Sequence, residues 1–110
     1  MPPAKTGSGE KNLSFMEEGF TKLPSAVEHS KDTLEMLDLV GNKFKTIPKE
    51  LITYPKLQWL SMFNNPIKSV GPEYCQMKAE IELDKTVKVD SCFECHQHPH
   101  MERIKVCKTK

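Results

Sequence analysis

Six positions of this chain return, type for type, 23 residues later. Leu34, Leu37, Leu39, Asn42, Phe44 and Ile47 are followed by Leu57, Leu60, Met62, Asn65, Ile67 and Val70. A period of this length restricts the fold more than any composition does. Each copy is a unit that cannot bury its apolar side alone, so the copies must stack. A weaker copy lies upstream at an offset of 24, where Leu13, Phe15, Phe20, Leu23, Pro24 and Val27 align with Leu37, Leu39, Phe44, Ile47, Pro48 and Leu51. Glu18 stands at its asparagine position, as expected of a degenerate terminal copy.

The residue types follow from this geometry. In "MLDLV" and "WLSMF" the side chains alternate, which predicts one short strand per copy. Leu37, Leu39, Leu60 and Met62 then point inward. Asn42 and Asn65 end the strands, where a side-chain amide can satisfy backbone groups left open by the turning chain, in its own coil and the next. Phe44, Ile47, Leu51 and Tyr54 line the return segment, and Pro48 fits the first turn of a short helix over "PKELITY". The outward half of each strand presents Met36, Asp38 and Val40, then Trp59, Ser61 and Phe63, with Asn12, Ser14 and Met16 from the first copy. Strand spacing places Met36 beside Trp59 and Val40 beside Phe63, two apolar rows flanking a polar middle. An outward Trp beside Met and Phe is the chemistry of a partner-binding patch.

The pattern L-x-x-L-x-L-x-x-N-x-L-x-x-L-P resembles the leucine-rich repeat family over about residues 12 to 75. The resemblance implies an α/β solenoid of about three coils, with parallel strands on its concave face. Residues 1 to 11 read as a flexible tail. Residues 76 to 110 read as a C-terminal cap, where "AEIELDKTVKV" alternates in two halves around "DK" and predicts a β-hairpin.

The cap carries "CFECH", then His98, His100 and Cys107. C-x-x-C on a tight turn supplies two thiolates, and a second pair closes a tetrahedral zinc site. Cys92, Cys95, His98 and Cys107 are the expected structural zinc ligands. His96, His100 and Cys75 compete with His98 for the fourth place. Some intracellular leucine-rich repeat proteins also end in a cysteine-paired tail, and this one is similar to them. Three other readings remain for the same residues. C-x-x-C-H is also a c-type haem attachment motif. A redox pair is the second, though Phe93 and Glu94 followed by His and Pro make a poor helix start. Reduced, unliganded cysteines are the third.

A formal charge of +1 on 110 residues gives no global footprint for nucleic acid. No apolar run reaches membrane-spanning length. The first twelve residues, "MPPAKTGSGEKN", lack the apolar core of a secretory signal. These features predict a cytoplasmic or nuclear protein with reduced thiols. No nucleotide loop, H-E-x-x-H or serine elbow is present, so the expected function is not catalysis. It is capture of another protein on the exposed strand face. The alternative is a permanent structural subunit of a larger assembly.

Overall fold

A computed structural model describes residues 9 to 110. The tail expected over residues 1 to 11 therefore lies mostly outside the described residues. Eight strands form among the described residues: β1 Asn12–Ser14, β2 Met36–Asp38, β3 Trp59–Ser61, β4 Ser69–Val70, β5 Glu80–Asp84, β6 Lys88–Val89, β7 Phe93–Gln97 and β8 Ile104–Thr109. Six of them make one sheet in the order β1-β2-β3-β5-β8-β7, and β4 pairs with β6 in a second, two-stranded sheet. The large sheet is mixed. β1, β2, β3 and β5 run parallel, whereas β8 is antiparallel to both β5 and β7.

This architecture corrects the expected fold class. The chain is not an α/β leucine-rich repeat solenoid with a separate cap. It is a small, mostly β protein, with 28% of its residues in strands and half of its main sheet drawn from beyond the repeat. Among the described residues the α-helix is confined to Ser25–His29, and the return segment Lys49–Thr53 is a 3-10 turn. Sequence chemistry explains the shortage of helix. Pro48 and Pro55 bracket "KELITY", and the β-branched Ile52 and Thr53 disfavour further winding.

The expected hairpin is also corrected. β5 and β6 do not pair with each other. β5 continues the parallel series on β3, with Ile81 opposite Leu60, while β6 joins β4 with Val89 opposite Val70. Both halves of "AEIELDKTVKV" alternate, but each finds a neighbour with a matching apolar row. The hairpin of the tail is instead β7–β8.

One inward row runs across the whole sheet: Leu13, Leu37, Leu60, Ile81, Cys107 and Cys95 are successive cross-strand partners. Leu37, Leu60, Ile81 and Cys107 in that row are fully buried. Asn42 and Asn65 hold the turns beneath it. Asn42 Nδ2 donates to the carbonyls of Phe15 (2.7 Å) and Leu39 (3.0 Å), and its Oδ1 accepts from the amides of Glu18 (3.1 Å) and Phe20 (3.0 Å). Asn65 repeats the device with Leu39 O, Met62 O and the Phe44 amide. Each amide therefore serves its own coil and the preceding one, rather than the next. Tyr74 closes the bottom of the core with its hydroxyl donating to Ile47 O. Burial, and then the nearby Glu73 carboxylate, push its phenol above the ordinary range.

Candidate functional site

The outward side of the large sheet gathers most of the residues singled out above. Cross-strand register sets Met36 between Asn12 and Trp59, and sets Glu80 on the far side of Trp59. Met36 is 45% exposed and Trp59 is half-buried. Together with Leu13, Asn12, Ser14 and Asp38 they line a shallow hollow of about 360 Å³. The indole thus lies at the surface, with part of its area still open.

Next to this hollow runs the polar row. It reads Ser14, Asp38, Ser61, Glu82, Val106 and His96 in register. Ser61 departs from expectation, because it is buried rather than offered to solvent. Its Oγ donates to Glu82 Oε1 at 2.8 Å, so the next strand's carboxylate roofs it over. Glu82 Oε2 also lies 3.8 Å from His98 Nε2. The serine therefore meets a carboxylate rather than an imidazole. Asp38 Oδ1 accepts the Val40 amide at 3.0 Å, and the residue lines the hollow.

Val40 and Phe63 fall at the opposite ends of the strands and are half-buried. Phe63 borders a separate small hollow of about 230 Å³ with Asp84, Lys85, Thr86 and Arg103. The six expected contact residues are thus split: Met36, Asp38 and Trp59 share one hollow, Phe63 belongs to another, Val40 lines neither and Ser61 lies beneath. The acidic neighbours Glu80, Glu82 and Asp84 were not foreseen. Their signal was the alternation of "EIELD", with Ile81 and Leu83 inward.

The cysteines pair as Cys75–Cys92 and Cys95–Cys107. This corrects the compartment. Two bridges in so small a chain belong to an oxidising, extracellular or secreted environment rather than to the cytoplasm or nucleus. It also scatters the expected zinc ligands. Cys92 is tied to Cys75, Cys95 and Cys107 are tied to each other in the buried row, and His98 sits against Glu82. His96 turns outward toward Glu94 at 3.5 Å, and the amide of His100 donates to His98 Nδ1. Both sulfurs of "CFECH" are consumed by these bridges, which leaves neither for a haem thioether.

A different cluster has the donors for a metal. Cys75, Asp90 and Cys92 bring their ligand atoms within 4.8 Å of one another. Asp90 Oδ2 accepts the Cys92 amide at 3.0 Å and lies 3.5 Å from Cys75 Sγ. Bridged sulfurs are not thiolates, so the disulfide form does not fit a metal; the dithiol form would. Elsewhere in the tail Lys105 ties β8 to the turn after β5, its Nζ donating to Val87 O at 2.6 Å. Burial pushes the pKa of that ammonium below its ordinary value.

Comparison with known proteins found no match among family models, curated proteins or solved structures. The likeness to leucine-rich repeats rests on residue spacing alone.

Proposed function

We propose that the protein is a binding module for another polypeptide and that the Met36–Trp59 hollow is where the partner docks. The observation that carries this reading is an exposed methionine beside a half-open indole, with one carboxylate beyond the indole and another at the hollow's edge. Asp38 borders the hollow and Glu80 follows Trp59 in the row. That pattern complements a segment presenting one large apolar side chain flanked by Lys or Arg. The apolar part supplies contact energy, and the charges select the partner and speed its approach.

Trp59 is the chain's single tryptophan, so its emission reports this hollow alone. Peptides with an apolar anchor between basic residues are expected to shift that emission. The same anchors between acidic residues are expected not to. Met36→Ala together with Asp38→Asn should weaken binding by about thirtyfold, the loss typical of a central contact worth about 2 kcal/mol. Equal response to basic and acidic peptides would refute the charge match. A dimer that buries Trp59 at micromolar concentration, or a chain soluble only within an assembly, would instead support a permanent subunit.

A second reading attaches to Cys75, Asp90 and Cys92. An external dithiol can open the Cys75–Cys92 bridge, passing it two electrons and two protons and becoming a disulfide itself. Zinc would then displace the thiol protons and take two thiolates and one carboxylate, with water as the fourth donor. Reduced protein is expected to take up about one zinc ion and oxidised protein none. Uptake that survives Cys75→Ser but not Cys107→Ser would move the site to the other pair and overturn this reading.

A further inference from the structure

A groove of about 560 Å³ opens away from the sheet, on the segments that follow the first two strands. Four lysines line it: Lys22, Lys43, Lys45 and Lys49. Glu50 is the single carboxylate among the lining residues. All four ammonium side chains are exposed, and none forms an ion pair with a described residue. The backbone holds the lysines together, because the Lys43 amide donates to Phe20 O at 2.8 Å and so stitches one coil to the other. Lys68, also exposed, stands 23 residues after Lys45, the same step that relates neighbouring coils. Like charges gathered on one concave surface raise its positive potential, which only counterions or a bound anion can offset.

We propose that this groove binds a sulfated polysaccharide. Three observations choose that ligand among polyanions. The two disulfides belong to an oxidising exterior, where such chains are the prevalent polymeric anions. Pro48, half-buried at the groove, offers a small apolar surface for the C–H face of a sugar ring, while Leu23 and Phe44 beside it are core residues. Phe44 is 2% exposed and therefore offers no ring for a base to stack on, the platform that grooves for single-stranded nucleic acid use. Lysine suits sulfate, since a compact ammonium needs only a charged oxygen and not the paired acceptors that arginine engages. Thr21 and Thr46, both exposed, add hydroxyls to the lining. The groove is separate from the Trp59 hollow, so this site stands or falls independently of the peptide-binding reading.

Titration calorimetry with a heparin-derived hexasaccharide tests the assignment. Binding is expected, with affinity falling steeply as salt rises because counterions are released on association. The desulfated oligosaccharide is expected not to bind. Lys43→Gln with Lys45→Gln should weaken binding by about tenfold or more. Lys56→Gln with Lys78→Gln, the same change in net charge on another surface, should leave it unchanged. Both pairs are exposed, and thermal melts will register any loss of fold. Equal weakening by the two double variants would show an effect of net charge alone and overturn the site. Single-stranded DNA of matched charge binding as tightly as the hexasaccharide would overturn the ligand class, and no binding at low salt would overturn both.

Discussion

Replacing Asn42 with alanine is expected to lower the free energy of unfolding by about 3–5 kcal/mol, much of what a domain this size possesses. The side chain is 4% exposed, and its amide reaches four backbone groups of two successive coils. Alanine leaves the carbonyls of Phe15 and Leu39 and the amides of Glu18 and Phe20 short of partners where water enters poorly. Leu39 O would keep one bond, because Asn65 Nδ2 also donates to it at 2.9 Å. Asn42→Asp keeps the acceptor but sets a carboxylate against carbonyl oxygens, so it should destabilise as well. Asn64→Gly is the control. Asn64 is exposed with φ of 63°, a conformation glycine adopts freely, so that variant should stay within about 1 kcal/mol of the parent. Urea melts of the three variants check the ranking. A cost under about 1 kcal/mol for Asn42→Ala would mean the open backbone groups find water, and the asparagines would lose their structural role.

The part of the fold that the sequence made legible is the part governed by the 23-residue step. Leu37 beside Leu60, Met36 beside Trp59, and the buried asparagines all follow from adding that step, and the structure places them so. Beyond Val70 the step is lost, and with it any ruler for saying which strand neighbours which. "EIELD" and "TVKV" each had a readable inward side but no readable partner, so proximity along the chain suggested a hairpin that does not form. The fold class failed for a related reason. The return segments were long enough for helices, but prolines and β-branched residues keep them as short turns. Ser61 was misplaced because its cover, Glu82, comes from a strand outside the repeat.

The C-x-x-C reading failed on parity. Two cysteines three residues apart can chelate one ion on a tight turn. On an extended strand they point to opposite sides. Cys95 lies within β7, and Cys92 immediately precedes it. Cys95 therefore faces the buried row, where Cys107 stands opposite, and Cys92 faces away toward Cys75. Deciding between turn and strand at "DSCFEC" needs the strand that pairs with it, "RIKVC", and composition does not supply that register.

Reduction of both bridges is expected to lower stability by about 5 kcal/mol and to release the C-terminal half of the sheet first. The bridges close sequence separations of 17 and 12 residues, and loops of that size are each worth about 3 kcal/mol in the chain-entropy account. Cys107 and Cys95 also end the inward row beyond Ile81. Parting them loosens β8 and β7, which cover that flank of the core. The N-terminal strands are held differently, by the amides of Asn42 and Asn65, and a reductant leaves those bonds intact. Hydrogen exchange with and without a dithiol separates the halves. Amides of β5, β7 and β8 should lose protection at reductant levels where those of β2 and β3 keep theirs, and the melting temperature should fall by about 20 °C. Cys95→Ala with Cys107→Ala should reproduce most of this effect, because it removes the buried bridge. If the reduced chain melts as the oxidised one does, with β7 and β8 still protected, packing alone holds the tail. An oxidising compartment would then no longer be needed to explain a stable fold.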